Sequence, residues 1–195
     1  MDFSSEHCAH LCVDMQRMFA EDTPWHIPWM NTVREGIAAL AEAHAAETVF
    51  TRFLPASQPD SAPGRWRDYY RKWPMMTTSR LLPEMIDLLP ELRALVPPAA
   101  VFDKTVYSPW IGGGLHRHLD AKGVRTLVVT GGETDICVLS TVFGAIDFGY
   151  RVIVVRDAVC SAFDTTHDAS LRLLEERLST HVEIAGLDGV LDWWR

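Results

Sequence analysis

An aspartate, a lysine and a cysteine stand at comparable places in this chain, each at or just past the end of a short apolar run. Asp14 follows His10-Leu-Cys-Val13. Lys104 follows Ala99-Ala-Val-Phe-Asp103. Cys137 follows Leu127-Val-Val129 and a glycine-containing turn. A carboxylate, an amine and a thiol gathered at one sheet edge supply a nucleophile, its base and a cation. Each residue alone says little. An Asp after a strand is often a turn former, a Lys there is usually solvated, and a lone Cys is more often buried and inert. Cys137 differs in lying at a strand–turn–helix junction. Gly131-Gly132 ends the strand, Thr134 and Asp135 are good N-cap residues for a helix beginning near Cys137, and Val138, Val142, Ala145 and Ile146 recur at helical spacing. A thiol near the positive end of a helix dipole is expected to have a lowered pKa.

The elements that must position these groups alternate in type. Residues 10–13, 48–53, 99–103, 127–129, 151–155 and 181–184 read as strands, with Asp157 closing the fifth. Val33 to Ala46 reads as an amphipathic helix, with Val33, Ile37, Leu40 and Ala41 on one face and Asn31 or Thr32 as its cap. Further helices are expected at residues 115–122, after Cys137, from a cap at Asp164 or Thr165 through Leu178, and at 187–194. Pro83 to Leu95 is a short helix or an irregular segment interrupted by Pro90. Gly112-Gly-Gly114 is a turn and helix entry; it lacks the pattern of a phosphate loop. Strands alternating with helices mean a parallel sheet covered on both faces, with right-handed crossovers, in one domain over residues 1–195. Residues 54–80 form a long loop. Its cluster Arg65, Trp66, Arg67, Tyr69, Tyr70, Arg71, Lys72 and Trp73 is read as a lid for an anionic substrate or as an oligomer contact, with the second favoured.

Bulk properties exclude several classes. The chain has 195 residues, 48% of them apolar and 23% charged, which is ordinary for one soluble domain. A net charge of −8 argues against a general nucleic-acid binder. No apolar run is long enough to span a bilayer, and Met1 to Glu6 lacks the basic start of a signal peptide. Four cysteines without a CxxC pair fit a reducing, cytoplasmic setting.

Taken together, Leu11-Cys-Val-Asp-Met-Gln16, Phe102-Asp-Lys-Thr-Val-Tyr-Ser108 and Gly131-Gly-Glu-Thr-Asp-Ile-Cys-Val138 resemble the motifs of the isochorismatase-like cysteine hydrolases. That superfamily includes nicotinamidases, N-carbamoylsarcosine amidases and isochorismatases. The resemblance runs in register from about Leu11 to about Ile184. It implies a three-layer α/β/α, Rossmann-like fold with a six-stranded parallel sheet ordered 3-2-1-4-5-6, and a catalytic triad of Asp14, Lys104 and Cys137. It also implies a cis peptide joining Gly132 to Glu133, an oxyanion hole made by the backbone N–H groups of Glu133 and Cys137, and a homo-oligomer, dimer or tetramer. The implied reaction is hydrolysis of a small-molecule amide or ureido C–N bond through a thioester.

The chain also departs from its relatives. Nicotinamidases carry a metal site of an Asp and histidines just after the second strand. Here that stretch reads Thr51-Arg-Phe-Leu-Pro-Ala-Ser-Gln58, without His. His116 and His118 point to different sides of their helix. No metal and no cofactor are therefore expected. Isochorismatases proper cleave a vinyl ether without needing the Cys, so Cys137 points to C–N hydrolysis. The Gly-x-Glu-Thr-Asp pattern also occurs in isochorismatase-like members, so vinyl-ether hydrolysis stays open, as does a non-catalytic binding module on the same fold. Phe19, Trp25, Tyr107, Trp110 and part of the Trp66 to Trp73 stretch are the expected pocket walls, suited to a small, flat amide. Arg52 or Arg65 would be the group to hold a substrate carboxylate.

Overall fold

The computed structural model describes residues 7–194. Met1 to Glu6, the segment read above for a leader, lies outside them. Six strands, β1 (Cys8–Val13), β2 (Thr48–Phe53), β3 (Ala100–Lys104), β4 (Thr126–Gly132), β5 (Arg151–Cys160) and β6 (Val182–Ala185), form one sheet in the order β3-β2-β1-β4-β5-β6. All neighbours are parallel. The helices are α1 (Arg17–Ala20), α2 (Met30–Ala43), α3 (Trp66–Lys72), α4 (Pro90–Arg93), α5 (Gly114–Ala121), α6 (Leu139–Asp147), α7 (Asp164–Arg177) and α8 (Leu187–Trp193). No helix among the described residues is long and apolar enough to cross a membrane.

Strand periodicity sorts the core into two halves. On one face Cys8, Cys12, Phe50, Val128 and Ile153 pack with residues of α1, α2, α4 and α8. On the other Ala9, Leu11, Val13, Leu127, Val129, Val152 and Val154 pack with α5, α6 and α7. Ile37 and Leu40 of α2 are fully buried, each contributing about 1.5–3 kcal/mol. His10, in the middle of β1, is fully buried yet satisfied. Thr48 Oγ1 donates to the His44 carbonyl at 2.8 Å, so it accepts from His10 Nδ1 at 3.2 Å. Burial lowers the His10 pKa to about 3, so the ring is neutral and Nε2 accepts from Thr130 Oγ1 at 2.8 Å.

Several boundaries differ from the sequence reading. The second helix starts at Met30, with Trp29 in the cap position, because buried Met30 draws the first turn into the core; neither Asn31 nor Thr32 caps it. Pro90 opens α4, where its missing N–H costs nothing, rather than interrupting a helix. Phe163, without a side-chain bond, takes the cap position of α7 in place of Asp164 or Thr165. Asp157 does not close β5. The β4–β5 register shifts between Val129 and Gly131, and β5 runs on to Cys160. Asp157 instead accepts the Leu187 N–H at 2.8 Å and caps α8.

The register shift falls where β4 presses on β1. Gly131 has φ 110°, and a Cβ there would overlap the Val13 backbone, with its amide nitrogen at 2.7 Å. Gly131→Ala should therefore destabilise the fold by about 3 kcal/mol, through the left-handed backbone and the forced separation of two central strands. Urea unfolding checks this; a midpoint equal to wild type would mean the strands part freely.

Candidate active site

The strand order brings the C-terminal ends of β1, β3 and β4 to one edge, where ligands bind in parallel α/β sheets. Asp14 leaves β1 with φ 50°. Its N–H donates to Thr51 O and Oγ1, both at 3.2 Å, and its Oδ1 accepts from Thr51 Oγ1 at 2.7 Å. Lys104, the last residue of β3, sets Nζ 2.6 Å from Asp14 Oδ2, with side chains 4% and 1% exposed. The same ammonium donates to Cys137 Sγ at 3.4 Å and to the Val106 carbonyl at 3.3 Å, and lies 5.2 Å from the Phe53 ring centroid. The structure thus brings Asp14, Lys104 and Cys137 together.

The turn carrying Cys137 is not the expected helix start. Residues Thr134–Val138 form one wide π-helical turn, and α6 begins only at Leu139. The Glu133 carbonyl accepts the N–H groups of Ile136 at 3.1 Å and Val138 at 2.9 Å, passing over that of Cys137. Thr134 and Asp135 do not cap. Thr134 Oγ1 bonds His167 Nδ1 of α7 at 2.9 Å, and Asp135 accepts from Ser161. The Gly132–Glu133 peptide is cis.

The electrostatics also correct the sequence reading. Cys137 was expected to have a depressed pKa. Burial, the Asp14 carboxylate and the thiol's hydrogen bond to it push the pKa up instead, against the pull of Lys104. The protonated thiol is thereby favoured over the thiolate. Burial alone would lower Lys104, but Asp14 and Cys137 outweigh it and hold the ammonium charged. Glu133 is pushed up to about 7 by burial, then by Asp135 and Asp14.

A cavity of about 380 Å³ opens above Cys137. Phe19, Trp25 and Tyr107 line it. So do Tyr69 and Trp73, the part of the expected Trp66–Trp73 stretch that faces inward, and the Glu133 side chain, which was missed because the motif resemblance places only its backbone N–H at the site. Trp110 does not line it. Its indole is wedged against Gly144 of α6, where Nε1 donates to the Thr141 carbonyl at 2.8 Å and the ring stacks on Tyr150. The basic residues of the long loop face outward. Arg65 is exposed and paired with Asp68 at 3.0 Å, and Arg71 bonds Asp60 at 3.2 Å. Arg52 is held by Asp103 at 2.8 Å and Asp87 at 3.0 Å. Among the described residues no three His, Cys, Asp or Glu side chains gather as a metal-binding set.

Comparison with known proteins agrees with this geometry. The isochorismatase domain model matches residues 8–185. A ureidoacrylate amidohydrolase of Methylorubrum extorquens is 30% identical, over 93% of this chain and 78% of its own. A maleamate amidohydrolase of Pseudomonas putida is also 30% identical, over 84% and 76%. The crystal structure of a cysteine hydrolase from Pseudomonas syringae pv. phaseolicola superposes with TM-score 0.82 at 22% identity, covering 98% of this chain and 94% of that one.

The Glu133 carboxyl carries a stability signature with a definite sign. Its folded pKa of about 7 stands above the usual 4.5, so the unfolded chain loses this proton first. Stability is therefore lost as pH rises from about 4.5 through about 7, and the loss is constant above that. Glu133→Gln should remove this loss. The variant should gain about 1–3 kcal/mol above neutrality, allowing for solvent near the carboxyl, and nothing in acid. Urea midpoints across a pH series read the difference, and a pH-independent gain would contradict it.

Proposed function

The chain belongs to the isochorismatase family, and we propose that it is a cysteine-dependent hydrolase cleaving an amide or ureido C–N bond of a small molecule. The observation that carries this reading is the single ammonium, Lys104 Nζ, lying 2.6 Å from Asp14 Oδ2 and 3.4 Å from Cys137 Sγ beneath an aromatic cavity. The names of the amidohydrolase relatives support the same bond type.

In this mechanism Asp14 takes the Sγ proton as the thiolate attacks the substrate carbonyl carbon. Lys104 stays charged and stabilises both developing anions. The backbone N–H groups of Glu133 and Cys137 hold the oxyanion, each worth about 3–4 kcal/mol in the transition state. The tetrahedral intermediate collapses by breaking the C–N bond, and Asp14 passes its proton to the departing nitrogen, leaving a thioester. Asp14 then removes a proton from water, whose oxygen attacks the thioester carbon. The acid leaves and the proton returns to sulfur. The raised thiol pKa suits this sequence: the nucleophile is made at the moment of attack, not stored as a resting thiolate.

Ammonia release from small amides, imides and ureido acids tests the proposal. Cys137→Ala should lower turnover by about three orders of magnitude or more while circular dichroism stays unchanged. Activity retained in that variant would overturn the thioester route, and isochorismate cleavage without ammonia release from any amide would move the activity to vinyl ethers. Prolonged EDTA treatment should leave turnover unchanged; a loss restored by zinc or iron would contradict a metal-free mechanism.

A further inference from the structure

Few ionisable side chains line the cavity above Cys137. Its lining contains no lysine or arginine among the described residues, and His26 is the only basic side chain in it. Lys104 lies below and is consumed by Asp14 and Cys137. The two arginines that could have met a substrate carboxylate are engaged elsewhere, Arg52 with Asp87 and Asp103 and Arg65 with Asp68. Lys72 stands over the Trp73 ring, 5.1 Å from its centroid, outside the lining. The acidic group of the lining is Glu133, whose carboxylate makes no hydrogen bond or ion pair among the described residues.

The apolar walls point the same way. Trp25 stacks with Phe19 at 6.2 Å and meets Tyr69 at 5.6 Å, and Tyr107 and Trp73 extend the aromatic surface. Aromatic faces are the negative pole of the ring quadrupole and attract cations. A carboxylate beside several such faces is an arrangement for an ammonium or amidinium group. A second carboxylate placed there would meet Glu133 with no lysine or arginine in the lining to pair with it.

Resting on the hydrolase reading above, we propose that Glu133 is the specificity-determining residue of this pocket, and that the substrate class is an amide or ureido compound bearing a cationic group rather than a carboxylate. Its side chain faces the part of the substrate beyond the scissile bond, while its backbone N–H serves the reaction. Burial, then Asp135 and Asp14, disfavour the Glu133 anion. An entering cation reverses this, so the cation takes up its site as the carboxyl gives up its proton. The two amidohydrolase relatives are named for amides that carry a carboxylate, and the pocket of this chain would set it apart from them.

The test uses matched compounds that differ only in charge, the para-aminomethyl and para-carboxy derivatives of benzamide with benzamide between them. The ratio of kcat/KM for the cationic over the anionic compound should be about tenfold or more, and in Glu133→Gln it should fall to within about threefold of unity. Protection of Cys137 from iodoacetamide by benzylammonium against benzoate reads the same discrimination without turnover. It should show the same loss in the variant. A ratio isolates charge selection, because a merely structural loss lowers all three compounds together. If the anionic compound is hydrolysed, or benzoate protects, as well as the cationic partner, the inference fails while Cys137-dependent turnover leaves the hydrolase reading standing. An unchanged ratio in Glu133→Gln would equally overturn the role of Glu133. Turnover that survives in Cys137→Ala would instead overturn the hydrolase reading.

Discussion

The buried ion pair between Asp14 and Lys104 is the constraint from which the rest of the site follows. Removing either charge from water costs several kcal/mol, and in so dry a place only close pairing and further hydrogen bonds offset that. Each group has such support. The Thr51 hydroxyl satisfies Asp14 Oδ1, the Val106 carbonyl takes one ammonium proton, and the Phe53 ring covers the lysine. The sheet order explains why the cation on β3 needs a long side chain. Phe53 of β2 pairs with Lys104, and β1 lies on the far side of β2. Two strand spacings are about 9–10 Å, a gap bridged by the lysine stem, the 2.6 Å contact and the Asp14 side chain together.

That pair in turn decides the state of the nucleophile. A helix dipole acts through partial charges at a helix end, whereas Asp14 is a full charge that also accepts a hydrogen bond from the thiol in a water-poor site. The full charge and the burial win. The dipole argument is weakened further by the geometry, because Cys137 lies inside a wide turn before α6 rather than at the helix N-terminus itself. That turn is tied on its other side to the β5–α7 junction through Thr134 with His167 and Asp135 with Ser161. Small polar residues that would cap a free helix instead anchor the nucleophile to a neighbouring layer.

The alternation of strands and helices, and the gathering of Asp14, Lys104 and Cys137 at one edge, were legible because buried parallel strands are short apolar runs and the residue after each run falls at the ligand-binding edge. The strand order came from the resemblance of the motifs to a family. What stayed hidden depended on contacts distant in the chain. Trp110 reads as a pocket aromatic until the notch at Gly144 is seen, which takes the indole into the core. Tyr69 and Trp73 read as part of a basic loop until the ion pairs of Arg65 and Arg71 with Asp68 and Asp60 show which side is solvated. The length of β5 depended on a register shift against β4 that no local pattern marks. Helix caps failed at α2 and α7 because burial of Met30 and the local chain path set those ends rather than side-chain oxygens.

The two-sided build of α3 and its flanks separates two tasks in one short segment. Tyr69 and Trp73 face the cavity, while Arg65, Arg67 and Arg71 meet Asp60 and Asp68 outside it. Neither set hydrogen-bonds Asp14, Lys104 or Cys137. Substitutions on the inner side therefore reshape the cavity without altering the ionic surface. Cavity shape and surface charge are thus set by different residues of one short segment, and a change in one leaves the other in place.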